Sequence, residues 1–215
     1  ATASYQCEGA WKEDDRAASM WDVYLHEGNY ENGDIASDHY HHYKEDIEMM
    51  AKGGQNTYRL SLSWPRIIKD KEGTVNEKGI AFYRSVLQCC KENNIVPFVT
   101  IYHWDLPQYW EEEGGWLNEA TCRAYEHYAK VCFEHFHVLV EHWVTFNEPK
   151  WFTFSGYLVG NYPPGHQSVQ EMITAAYHVM YASSLGVRAF RQGHYKGQIG
   201  IVHSFGPVDG IDDSL

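Results

Sequence analysis

Short apolar runs alternate with long amphipathic stretches along this chain, and the connections are too long for hairpins. The runs cover residues 1–5, 56–62, 95–102, 142–146 and 197–203. Helical patterns fill the gaps at 38–52, 77–93, 119–138 and 169–192. The first ends at Gly53-Gly54, a helix stop signal, and the second follows Asn76 and ends at Asn93-Asn94. Asn118 and Ser168 precede the other two as N-cap residues, and the last stops at Gly193. Strands joined by crossovers of this length run parallel. The run Ile95-Val96-Pro97-Phe98-Val99-Thr100-Ile101 is apolar on both faces, as a sheet covered by helices requires.

Two parallel architectures fit this alternation. A doubly wound open sheet carries a glycine-rich phosphate loop after its first strand, and Gln6-Cys7-Glu8-Gly9-Ala10 is not one. A (β/α)8 barrel spreads its chemistry over many strand exits. Here Gln6 follows the first run, Arg59 and Trp64 flank the end of the second, and His103-Trp104 follow the third. Asn147-Glu148 follow the fourth and His203 the fifth. The expectation is a single domain over 1–215, part of a (β/α)8 TIM barrel with about four βα units plus a fifth strand. Such long loops imply a complete enzyme of roughly twice this length, so the chain reads as an interior portion cut at both ends.

Composition narrows the partners. At 44% hydrophobic and 21% charged the chain has an ordinary globular make-up, and its net charge of -12 argues against nucleic acid and against an anionic membrane surface. No apolar stretch is long enough for a membrane span. The five cysteines (Cys7, Cys89, Cys90, Cys122 and Cys132) lack C-x-x-C spacing and read as reduced thiols of a cytoplasmic protein. Aromatics reach 15%, enough to form a stacking surface if they gather after strands.

The motif Thr145-Phe146-Asn147-Glu148-Pro149 concentrates the chemistry. A buried run ends in an amide, a carboxylate and a proline, and Pro149 is expected to hold Glu148 extended. Glycosidic cleavage needs a carboxylic acid to protonate the leaving oxygen and a second carboxylate across the sugar. Glu148 suits the acid, and Asn147 suits a sugar hydroxyl. Gln6 and His103 are neutral two-sided hydrogen-bonding groups, and Trp104 offers a flat apolar face to a pyranose. A buried Arg59 would need a carboxylate partner, for which a nucleophilic carboxylate is one option. His39, His41 and His42 cluster at a helix start without a metal-site spacing, which favours a solvated or hydrogen-bonding role. Nothing in the sequence calls for a metal or a cofactor.

Four stretches carry a family resemblance: Ala3-Ser4-Tyr5-Gln6-Cys7-Glu8-Gly9-Ala10, Tyr58-Arg59-Leu60-Ser61-Leu62-Ser63-Trp64, Tyr102-His103-Trp104-Asp105-Leu106-Pro107 and Thr145-Phe146-Asn147-Glu148-Pro149. In this order they resemble the N-terminal half of glycoside hydrolase family 1, the retaining β-glycosidases built on a (β/α)8 barrel. The resemblance implies that Glu148 is the acid/base and that Gln6, His103, Trp104 and Asn147 bind the glycone. It implies that Arg59 orients the nucleophile. In the family that nucleophile is a Glu in a Glu-Asn-Gly motif late in the sequence, and the expectation is that it has no counterpart here. Glu8 and Asp105 read as structural, so the segment alone is expected not to turn over substrate.

The segment from Gly156 to Gly165 and the run Gly200-Ile201-Val202-His203 resemble the bacterial 6-phospho-β-glycosidase branch, which makes 6-phospho-β-glucosides the expected substrates. Plain β-glucosides are the alternative. A relative that only binds sugars or a protein partner is a second class, disfavoured because Glu148 is present. Trp151 reads equally as a leaving-group contact or a core residue.

Overall fold

In a computed structural model, residues 1–206 are described. Four strands, β1 (Thr57–Ser61), β2 (Val96–Tyr102), β3 (His142–Asn147) and β4 (Gln198–Val202), form one parallel sheet in the order β1-β2-β3-β4. Each new strand is added on the same side of its predecessor, pairing Thr57 with Val96, Phe98 with His142 and His142 with Gln198. An open doubly wound sheet reverses direction at a switch point, and a barrel does not. This sheet has no reversal.

The first apolar run departs from expectation. Thr2 makes a single parallel bridge to Leu60, its N–H donating to the Arg59 carbonyl at 2.9 Å. The chain then coils into α1 (Ser4–Cys7). Extended pairing stops there because the Ser4 N–H is taken by the Ser61 hydroxyl at 2.8 Å rather than by a strand carbonyl. Gln6 therefore sits in a helical turn beside β1, and the described sheet has four strands with one bridge at its edge.

The helices follow in chain order: α2 (Met20–Glu27), α3 (His39–Lys52), α4 (Trp64–Ile67), α5 (Glu77–Glu92), α6 (Gln108–Glu111), α7 (Glu119–Phe136), α8 (Pro149–Thr153) and α9 (Val169–Gln192). Side-chain oxygens of Asn76, Asn118 and Ser168 accept from Lys78, Ala120 and Glu171 N–H groups, so the three cap residues work as read. Helix α2 has a capping box in which Ser19 and Asp22 satisfy each other's backbone N–H groups.

Strand periodicity divides the sheet into two faces. Tyr58, Leu60, Val99, Ile101 and Trp143 are buried on one face, where Phe133 of α7 meets Trp143 edge-on at 5.0 Å. Arg59, Phe98 and His142 alternate onto the other face, the inner side of the curve. Trp64 belongs to the core rather than to a strand-exit surface. It is 1% exposed and stacks on Tyr128 at 5.0 Å. No described helix is long and apolar enough to cross a membrane.

Candidate active site

The strand exits on the inner face gather the expected residues in two linked groups. Gln6, His103 and Trp104 line a cavity of about 310 Å³ together with Tyr5, Trp21 and Tyr162. Arg59, Asn147 and Glu148 lie outside its lining and reach it through Trp104. The Trp104 indole N–H donates to the Asn147 carbonyl at 2.8 Å, and Arg59 Nη2 donates to Asn147 Oδ1 at 2.7 Å. Asn147 is thus fixed by backbone and side chain at the last position of β3, at 4% exposure.

Arg59 finds a different partner from the one expected. Its Nε donates to the Thr100 hydroxyl at 3.1 Å and its Nη2 to the Asn147 amide, with no carboxylate bonded to it among the described residues. Burial pulls its pKa below the ordinary value, and the Glu148 charge opposes that shift. His103 is pushed down to about 4, first by burial and then by the Arg59 charge. It stays neutral near pH 7, so one ring nitrogen donates while the other accepts.

Glu148 differs from expectation in its backbone. It adopts φ 47 and ψ 58, a left-handed conformation, and caps α8 with Pro149 as the first helical residue. The pre-proline clash explains only the exclusion of right-handed helix. What selects the left-handed form is the Glu148 N–H, which donates to the Val202 carbonyl of β4 at 2.8 Å. Trp104 also has positive φ, at 77. Two candidate site residues therefore hold backbone conformations that cost energy, a recurrent property of functional positions. The Glu148 carboxylate makes no hydrogen bond among the described residues and is half-buried.

Glu8 and Asp105 are both engaged in the interior, as read. Arg66 Nε donates to Glu8 at 3.0 Å and the Tyr83 hydroxyl donates to its other oxygen. Asp105 is fully buried and accepts from the Ser4 hydroxyl at 3.1 Å, and burial pushes it up to about 7. A Glu-Asn-Gly tripeptide does occur, contrary to expectation, as Glu31-Asn32-Gly33. It lies in the loop between α2 and α3 rather than at the end of a strand, with Glu31 and Asn32 exposed and the Gly33 N–H donating to the Tyr5 hydroxyl at 3.2 Å. His39, His41 and His42 bond Asp46, Asp38 and Glu45 in turn, carboxylates of their own helix or its cap, and His41 also bonds Glu13 at 3.1 Å. His203 is exposed just past β4. Of the cysteines, Cys89, Cys90, Cys122 and Cys132 are buried, Cys7 is half-buried, and none is paired.

Two aromatic cavity residues, Trp21 and Tyr162, escaped the sequence reading. Trp21 lies on α2 one turn before Leu25, which shares the lining, and Ser19-x-x-Asp22 is the signal that would have revealed that helix. Tyr162 meets Trp21 at 5.2 Å and Trp104 at 5.8 Å, a contact made only in three dimensions.

The sequence matches the family model for Glycosyl hydrolase family 1 over residues 1–213. The chain belongs to that family. It is 41% identical to a 1,4-beta-D-glucan glucohydrolase of Thermotoga neapolitana over 96% of this chain and 49% of that protein. It is 40% identical to a 6-phospho-beta-galactosidase of Clostridium acetobutylicum over 100% of this chain and 45% of the relative. Among solved structures, the beta-glucosidase of Thermotoga maritima in complex with deoxynojirimycin superposes with a TM-score of 0.91 at 40% identity, covering 94% of this chain and 47% of that one. The family 1 chain thus spans about half the length of the relatives it matches, and its sheet is a partial TIM barrel.

Proposed function

We propose that this chain forms the glycone-binding and acid/base half of a retaining β-glycosidase acting on β-glucosides. The observation that carries the reading is the double restraint on Asn147, by Arg59 and by Trp104, beside the cavity that Gln6, His103 and Trp104 line. Such a site offers an aromatic face, neutral donors and acceptors, and a carboxyl at the next residue. Glu148 protonates the leaving oxygen and then activates water, which requires a nucleophilic carboxylate across the sugar. Arg59 serves to orient that nucleophile. Glu8 and Asp105 are committed elsewhere, so the chain alone does not complete a turnover. Five unpaired thiols support a cytoplasmic setting.

The 6-phospho-β-glucoside preference rests on the segment from Gly156 to Gly165 and on the 6-phospho-beta-galactosidase relative. The second reading, a plain β-glucoside, is favoured by one observation: among the described residues no cationic side chain lines the cavity. Assays of the chain on nitrophenyl β-glucoside and its 6-phosphate should give no turnover. A rate abolished by Glu148→Gln would overturn that expectation. In a longer protein carrying this segment, equal or faster cleavage of the unphosphorylated compound would reject the phospho preference.

A further inference from the structure

We propose that Glu8 and Asp105, two buried carboxyl groups that do not line the cavity, are positioning residues that hold the Gln6 turn against the His103-Trp104 loop. The proposal rests on the glycone role given to Gln6 above.

Gln6 is exposed, with no hydrogen bond of its own side chain among the described residues, yet the residues two before and two after it are locked. Ser4, at 2% exposure, donates its hydroxyl to Asp105 at 3.1 Å and its N–H to Ser61 at 2.8 Å. Asp105 directly follows Trp104, so this bond ties the Gln6 turn to the loop that supplies the other two cavity residues. On the far side, Glu8 accepts from Arg66 Nε at 3.0 Å and from the Tyr83 hydroxyl, which itself accepts from the Ser63 N–H at 2.7 Å. Arg66 Nη2 donates to the Gly9 carbonyl at 3.2 Å. Gly9 packs directly on the Ile35 backbone, where a Cβ would lie 2.2 Å from the Ile35 carbonyl oxygen.

An exposed amide on a four-residue helical turn would sample many directions and lose entropy on binding sugar. Anchors on both sides remove the backbone part of that loss in advance. Each carboxyl has a buried hydroxyl partner, Ser4 for Asp105 and Tyr83 for Glu8. Deleting the hydroxyl weakens the anchor while the carboxyl itself stays in place, and Glu8 keeps Arg66 when Tyr83 is changed.

The test uses Ser4→Ala and Tyr83→Phe, each alone and combined with Gln6→Ala, in the intact chain. Calorimetric titration with deoxynojirimycin should give about fivefold weaker binding for each single variant, the weight of one hydrogen bond. On the Gln6→Ala background the same changes should cost less than about 1.5-fold, because coupled residues are not additive. A purely structural role predicts equal losses on both backgrounds, and that result overturns the proposal. Cys7, next to Gln6, gives an independent readout: iodoacetamide labelling of this half-buried thiol, followed by peptide mass spectrometry, should quicken about fivefold while buried Cys90 stays unchanged. If the chain binds no deoxynojirimycin, the glycone reading fails for this chain. The Cys7 rate then decides alone, faster labelling supporting the clamp and an unchanged rate overturning it.

Discussion

Arg59 and Asn147, 88 positions apart in sequence, meet through one hydrogen bond of 2.7 Å from guanidinium to amide oxygen. A guanidinium only donates, so the amide must turn its oxygen toward Arg59 and present its NH2 elsewhere. Arg59→Met frees the amide to flip. Deoxynojirimycin affinity should fall about tenfold, the cost of a charge-assisted bond, and an unchanged Kd in calorimetry would show that Arg59 does not set the orientation.

Two buried groups give stability opposite dependences on pH. His103, held down to about 4, binds fewer protons folded than unfolded, so its contribution is present above about pH 6.5 and is lost as pH falls through 4. Asp105, raised to about 7, binds more protons folded, so its contribution is present below about pH 3.9 and is lost as pH rises through 7. Between these limits the slopes cancel in part. Urea titrations should show stability falling with pH in His103→Gln and rising in Asp105→Asn, each by up to about 1.4 kcal/mol per pH unit. Identical pH profiles for the two variants would refute the opposition.

Arg66→Met leaves Glu8 buried at 4% exposure without its cation. Removing one partner of a buried pair costs about 3–5 kcal/mol. Denaturant unfolding followed by tryptophan fluorescence should register that loss, and a change below about 1 kcal/mol would mean the pair is dispensable.

Gly79 lies in the first turn of α5, where alanine is favoured by about 1 kcal/mol on helix propensity. Here a Cβ would stand 2.0 Å from the Arg66 carbonyl oxygen. Gly79→Ala should therefore lower the melting temperature, and a stabilised variant would show that α4 yields to α5.

The legible parts of this chain were those fixed by neighbours in sequence. Asn76, Asn118 and Ser168 announced helix starts because a cap bonds only two or three residues ahead. The strands β1 to β4 were readable as short apolar runs between helical patterns, β2 most clearly because both its faces are apolar. The first run deceived because a side chain from β1, Ser61, captures its backbone after Thr2. Local rules excluded right-handed helix at Glu148, but a carbonyl from β4 chose the actual conformation. The candidate site residues were proposed from their chemistry near the ends of the apolar runs. Trp21 and Tyr162 were not, because only tertiary contact brings them to the cavity.

The bond from the Glu148 N–H to Val202 also bears on the order in which the chain acquires its parts. On a ribosome the carboxylate emerges well before its anchor, with the whole of α9 still to be translated between them. The nascent chain can bury its aromatic core before Glu148 has a fixed direction. A translational pause between α9 and β4 would leave a packed core with the Glu148 carboxyl not yet aimed.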